Sequence, residues 1–252
     1  MDNYAKRSLG QKLIAMHPLL RPIPKPLRLA VLGRSAVSHD KRYVYVRIPK
    51  AANSTISKTL AWLTFPDDRA AISADEEGRL SKRMFSKYPW HWWTPRAASS
   101  YFKFMFVRDP FSRLLSAYLD KINPGFDRKS YAFVGEASGR RPSELSFTDF
   151  VGFIEQGGLF RNIHWAPQVD LSPIPLDQLD LIGKIETLDH DLEVVGREVF
   201  GAAQIPTQQR ETRRTQSSER LAHFYDDKLA ERVASIYRRD FDAFGYADRI
   251  RR

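Results

Sequence analysis

R-Y-V-Y-V-R-I-P-K-A-A-N-S-T-I-S-K-T-L-A-W-L-T-F, Arg42 to Phe65, is the stretch on which the fold turns. Its β-branched and aromatic start, Tyr43 to Ile48, reads as a short strand. Pro49 ends the strand because it has no N–H to give to a ladder. A polar stretch, Lys50 to Thr55, follows. Ile56, Leu60 and Leu63 then recur at the spacing of one helix face. Asn53 or Ser54 is placed to cap that helix. Strand, tight loop and helix together aim backbone N–H groups and a helix dipole at an anion, and Lys50 adds a full positive charge at the mouth of the loop. The loop has no glycine, so it is not the Gly-rich phosphate loop whose lysine stands at the helix start. An ordinary strand-to-helix connection with a solvated lysine fits these residues equally well.

A second unit of the same kind begins at Tyr101. Phe102, Phe104 and Phe106 alternate with Lys103, Met105 and Val107, and the near-continuous apolar character suits a buried parallel strand. Asp109 is placed to cap a helix and Pro110 to take its first position. That helix runs Phe111 to Ile122, with Leu114, Leu115, Tyr118 and Ile122 on its apolar face and Ser112 and Ser116 on another side. Two strand–loop–helix units side by side make a cleft at the carboxyl ends of parallel strands, where α/β sheets bind ligands. Leu179 to Ile185 is a third strand candidate. Ser146–Glu155, Leu188–Phe200 and Asp227–Phe241 read as helices, Ser73 to Tyr88 as polar surface and Phe126 to Arg141 as an exposed loop. Residues 1–40 read as a basic arm and 41–252 as a single domain.

The 252 residues suffice for a substantial core without covalent staples. The absence of cysteine excludes disulfides, thiolate metal sites and a cysteine nucleophile. A net charge of +10 argues for an anionic partner. The first fifty residues hold eleven Lys and Arg against two Asp. Leu13 to Leu20 is too short to span a bilayer; Leu9, Leu13, Ile14 and Leu20 can form a weak apolar face able to touch anionic lipid, but a solvated arm folded onto the domain is the better reading of these residues. Between Pro89 and Pro95, Trp90, Trp92, Trp93 and His91 form an aromatic loop, suited either to a core edge or to a substrate wall.

I-P-K-A-A-N-S-T at 48–55 and F-V-R-D-P-F-S-R-L-L-S-A-Y at 106–118 resemble the two nucleotide-binding signatures of sulfotransferases, in particular the carbohydrate branch that includes the chondroitin 4-O enzymes. H-W-A-P-Q at 164–168, I-G-K-I-E-T-L at 182–188 and Y-R-R-D-F-D-A-F-G-Y at 237–246 are similar to the same branch. The resemblance implies an α/β, P-loop-like three-layer fold with a central parallel sheet flanked by helices. It implies 3'-phosphoadenosine 5'-phosphosulfate as co-substrate, with no metal. The 5'-phosphosulfate maps to Pro49, Lys50, Ala51, Ala52, Asn53, Ser54 and Thr55, and the 3'-phosphate to Arg108 and Ser116. Residue chemistry agrees: a phosphate monoester suits a planar multidentate cation, and Lys50 suits the leaving bridging oxygen. The Golgi relatives carry a membrane anchor and cysteines. Without either, the chain is expected to be a soluble, bacterial-type, cytoplasmic member whose arm can touch the inner membrane face.

The resemblance also implies a hydroxyl of a carbohydrate or glycolipid as acceptor, and no nucleic-acid partner. Oligomeric state is not legible. The acceptor proton calls for a base poised near neutral pH, for which histidine is suited. Of the six histidines, His91 stands where the family places its base or the neighbours of that base, and is the first candidate. His164, inside H-W-A-P-Q, is the second. The resemblance implies that the basic segment with Arg210, Arg213 and Arg214 closes over the nucleotide; a solvated loop fits these residues equally well. A nucleotide-dependent kinase would need a glycine–lysine phosphate loop and acidic metal ligands at strand ends. A non-enzymatic basic module would explain the charge but not two anion-directed loops.

Overall fold

The computed structural model describes residues 16, 20–32, 34–75, 79–85, 100–123, 129–201 and 215–250. In chain order these give helix α1 (Arg28–Leu32) and strands β1 (Ser35–Ser38) and β2 (Tyr43–Val46). Helices α2 (Asn53–Thr64), α3 (Arg69–Ala74) and α4 (Arg79–Arg83) precede strand β3 (Phe102–Val107). Helices α5 (Pro110–Ala117) and α6 (Phe147–Phe153) come next, then strand β4 (Leu181–Lys184) and helix α7 (Leu188–Phe200). Helices α8 (Thr215–Phe224), α9 (Asp227–Ile236) and α10 (Arg238–Phe244) close the chain. No helix among the described residues is long and apolar enough to cross a membrane.

Chain contacts divide the molecule into two compact units: Met1–Val107 with Asp170–Arg210, and Arg108–Val169 with Glu211–Arg252. The first unit holds the sheet, in the order β1-β2-β3-β4. The pairs β2–β3 and β3–β4 are parallel, as expected, with Val46 opposite Met105 and Phe106 opposite Gly183. β1 is antiparallel to β2. It lies ahead of residue 41, where the sequence reading begins the domain. Its four residues join β2 through a short turn with Arg42 in a left-handed conformation, φ 53°, and a connection that short permits only an antiparallel pair.

Every residue of β2 is buried, which explains why the run lacks the polar alternation of a half-exposed strand. Tyr43, Tyr45, Phe104 and Phe106 face one core with Ile56, Leu60 and Ala61 of α2 and Leu188, Leu192 and Val195 of α7. Tyr45 stacks on Phe104 with ring centroids 5.2 Å apart. Burying each such side chain contributes about 1.5–3 kcal/mol. Glycine is required at position 183, because a Cβ there would stand 2.6 Å from the Phe106 ring.

The second unit is helical. Leu114, Leu115, Tyr118 and Ile122 are buried as the pattern requires, and they pack with Phe147, Phe150, Trp165, Leu229, Val233 and Phe241. Asp109 caps α5, its carboxylate accepting from the Ser112 N–H at 2.8 Å, with Pro110 in the first turn. The expected helix to Ile122 loosens to π geometry over Tyr118–Ile122. The expected single helix over 227–241 divides at Tyr237. The loop expected at 126–141 is partly a structural element: Lys129–Val134 is a 3-10 turn that buries Tyr131 and Val134. Tyr131-Ala132-Phe133-Val134, an apolar run inside a charged stretch, is the signal that the overall composition obscured.

Candidate active site

In the first unit, parallel pairing brings the carboxyl ends of β2, β3 and β4 to one end of the sheet. The chain leaves β2 through Arg47, whose backbone N–H and Nε both donate to the Arg34 carbonyl, at 3.1 and 2.7 Å. Ile48 and Pro49 are buried. Lys50 and Ala52 then take left-handed conformations, φ 68° and 52°. Between them the Ala51 N–H closes a turn on the Ile48 carbonyl at 3.3 Å. Two non-glycine residues in this region within three positions carry strain, of the kind that collects at ligand clamps.

The N-cap of α2 is Ala52, which offers no side-chain cap, so Asn53 and Ser54 do not cap the helix as expected. Their side chains have other partners. Asn53 Oδ1 accepts from the Tyr45 hydroxyl at 3.1 Å, and Ser54 Oγ accepts from Lys82 Nζ at 2.8 Å. Burial pushes the Tyr45 phenol well up, which keeps it a neutral donor. The N-terminus of this 12-residue helix is thus left without a polar cap side chain, the arrangement that suits an anion. Lys50, Asn53 and Thr55 are half-buried and Ser54 is exposed. Lys82 is a second ammonium at this helix end that sequence reasoning missed. It lies 28 residues on from Ser54 in a stretch read as polar surface, and only the fold brings the two together.

In the second unit, Arg108 is half-buried. Its backbone N–H donates to Gln168 Oε1 at 3.0 Å, and its carbonyl accepts from Gln168 Nε2 at 2.9 Å. Gln168 is fully buried, and Asp240 accepts from the N–H groups of Gln168 and Val169 at 2.8 and 3.0 Å. Burial raises the Asp240 carboxyl, opposed by the Arg113 charge and these N–H groups. Arg113, itself buried, donates to the carbonyls of Ala166 at 2.9 Å and Ile163 at 3.2 Å. Burial lowers its pKa, Asp240 raises it, and the like charge of Arg108 lowers it further. Ser116 is half-buried on α5.

His164 is half-buried, with its ring nitrogen Nδ1 2.7 Å from Asn162 Oδ1, which also accepts the His164 backbone N–H at 3.0 Å. An oxygen already accepting one N–H suits a second donor, so the contact favours the Nδ1–H tautomer and leaves the lone pair on Nε2. His91, its tryptophan neighbours and Arg210, Arg213 and Arg214 lie outside the described residues.

The model of the sulfotransferase family matches residues 34–247. The chain belongs to the sulfotransferase family. It is a transferase of sulfuryl groups, and the loops that follow β2 and β3 both fall within the matched span. Among curated relatives, this sulfotransferase is 27% identical over 256 residues to carbohydrate sulfotransferase 14 of Danio rerio, covering 96% of this chain and 68% of the relative. It is 26% identical over 241 residues to carbohydrate sulfotransferase 11 of Rattus norvegicus and 29% over 248 to carbohydrate sulfotransferase 10 of Xenopus laevis, covering 86% of this chain and 68% of each. No solved structure matches it significantly.

Proposed function

We propose that this sulfotransferase moves a sulfuryl group from 3'-phosphoadenosine 5'-phosphosulfate to a hydroxyl of a carbohydrate or glycolipid. The observation that carries the reading is the strained loop from Pro49 to Ala52, which ends on an α2 N-terminus with no side-chain cap. Such a terminus, with Lys50 before it, is built for a compact anion. Pro49 to Thr55 receive the 5'-phosphosulfate, and Arg108 with Ser116 receives the 3'-phosphate. The relatives' names carry the choice of a carbohydrate acceptor, and the family match favours transfer over the kinase and binding-module alternatives.

In the reaction the acceptor oxygen attacks sulfur in line. The new O–S bond forms as the bond from sulfur to the bridging oxygen breaks. The bridging oxygen leaves with the electron pair, and Lys50 and the α2 terminus stabilise that charge as it develops. The acceptor proton passes to a neutral histidine. His91 is the first candidate. His164 is the second, and Asn162 presents it in a base-competent tautomer.

Calorimetry with 3'-phosphoadenosine 5'-phosphate and AMP tests the donor site. The bisphosphate should bind far more tightly, and Arg108→Ala should remove most of the difference. Equal affinities in the wild type would sink the assignment.

A further inference from the structure

We propose that Gln168 is a positioning residue for donor recognition, fixing Arg108 so that the enzyme distinguishes a nucleotide bearing a 3'-phosphate from one without it. The inference rests on the assignment of Arg108 to the 3'-phosphate.

Regular strand pairing of β3 ends at Val107. At the next residue, the Gln168 amide makes both hydrogen bonds that a neighbouring strand would make to the Arg108 backbone, one accepted at 3.0 Å and one donated at 2.9 Å. Few other side chains can do this: the site needs one acceptor and one donor in a plane, which among uncharged side chains of this length only glutamine supplies. The amide is in turn immobilised. Its own backbone N–H and that of Val169 end on the two oxygens of the buried Asp240. The Arg113 guanidinium holds the carbonyls of Ile163 and Ala166 in the same strap. H-W-A-P-Q and the Asp240 segment thus form one polar bracket, closed on the backbone of a single residue.

A bracket of this kind acts on direction. Arg113 is committed to carbonyls inside the protein, whereas Arg108 is half-buried and is the guanidinium here assigned to a ligand. A planar cation recognises a phosphate through two parallel hydrogen bonds, so a small rotation of its Cα costs the pairing while leaving its charge in place. Loss of the Gln168 amide should therefore weaken the response to the 3'-phosphate and spare the rest of the nucleotide.

The test compares wild type with Gln168→Met, which keeps length and removes both polar atoms. Affinities for 3'-phosphoadenosine 5'-phosphate and for AMP are measured by calorimetry, beside KM for donor, KM for acceptor and kcat. Loss of one charge-assisted hydrogen bond between the Arg108 guanidinium and the 3'-phosphate predicts that bisphosphate affinity falls about ten- to a hundredfold, while AMP affinity and acceptor KM move less than about threefold. Donor KM should rise in step with the bisphosphate loss. If Gln168→Met does not fold, Gln168→Asn, which retains the amide one carbon short, carries the same comparison. Equal losses for both nucleotides, or an unchanged bisphosphate affinity, would overturn the role of Gln168 while leaving the donor site intact. A wild type that does not prefer the bisphosphate would overturn the donor site itself, and the role of Gln168 with it.

Discussion

The handedness of the 49–52 loop gives a prediction whose sign differs between two adjacent alanines. Ala52 is left-handed, φ 52° and ψ 27°, a conformation that costs an L-residue about 1–2 kcal/mol. Ala52→Gly removes that cost. It adds about 0.4–1 kcal/mol of unfolded-state entropy and gives up part of one half-buried methyl, about 0.3 kcal/mol on the scale of 0.8 per buried CH₂. The net is a gain of about 0.5 kcal/mol. Ala51 is fully buried and is not among the positive-φ residues. Ala51→Gly therefore has no strain to release, and loses the same entropy plus a whole buried methyl, about 1–2 kcal/mol in total. Urea unfolding should separate the two variants by about 2 kcal/mol, read as a shift in midpoint at constant slope. Lys50→Gly extends the test: it relieves a second left-handed residue, φ 68°, so it should hold or raise stability while weakening donor binding and turnover. Equal destabilisation by Ala51→Gly and Ala52→Gly would refute the assignment of strain to this loop.

Other outcomes follow from the same sites. Activity should survive EDTA, because Lys50, a helix N-terminus and Arg108 supply the positive charge that phosphoryl transfer draws from Mg²⁺; loss restored by Mg²⁺ would count against this. His91→Ala should lower turnover by about two to four orders of magnitude with little change in bisphosphate affinity. If folded His91→Asn keeps near-normal turnover, the base is His164, whose own substitution should then abolish transfer without unfolding the chain. Asp149 closes a capping box on Ser146, whose hydroxyl and N–H hold its carboxyl below the usual range, helped by Arg140. A lowered pKa stabilises the fold above the unfolded value and ceases to do so as pH falls through the folded one. The stability gap between wild type and Ser146→Ala, followed by urea titration, should accordingly narrow in acid; a gap independent of pH would refute it.

β2 and β3 were legible because each is a dense β-prone run ended by a residue that breaks or caps: Pro49 after β2, Asp109-Pro110 after β3. The helices that follow showed their apolar spacing for the same reason, since each buries one face. β1 was not legible: S-A-V-S has two apolar residues, too few for a period, and its place comes from pairing with β2. The cap of α2 was misread because Asn53 and Ser54 have the chemistry of caps, and only the fold shows Tyr45 and Lys82 engaging them. H-W-A-P-Q was visible as a motif, but its reach to Arg108 was not. Sixty residues separate Gln168 from Arg108 and seventy-two separate it from Asp240, and no local pattern encodes either contact.

The interleaving of the two units sets an order of events on the ribosome. Everything from Arg108 to Val169 is synthesised between two segments of the other unit. β3 ends at Val107 and its partner β4 begins at Leu181. At about 5–20 residues per second, β3 waits roughly 4–15 s for that partner. During the wait one side of F-K-F-M-F-V is an open edge rich in aromatics, the kind of segment that recruits other chains. Lys103 is the only charge within it, and charged residues on an open edge discourage such pairing. Once β4 arrives, the same ammonium lies 3.2 Å from Asp180, whose carboxylate also accepts the Lys103 N–H at 2.7 Å. The nascent chain thus has one lysine that first repels neighbours and later pins β4. Lys103→Met should lower soluble yield at high expression rates well before it changes the equilibrium stability of the finished protein.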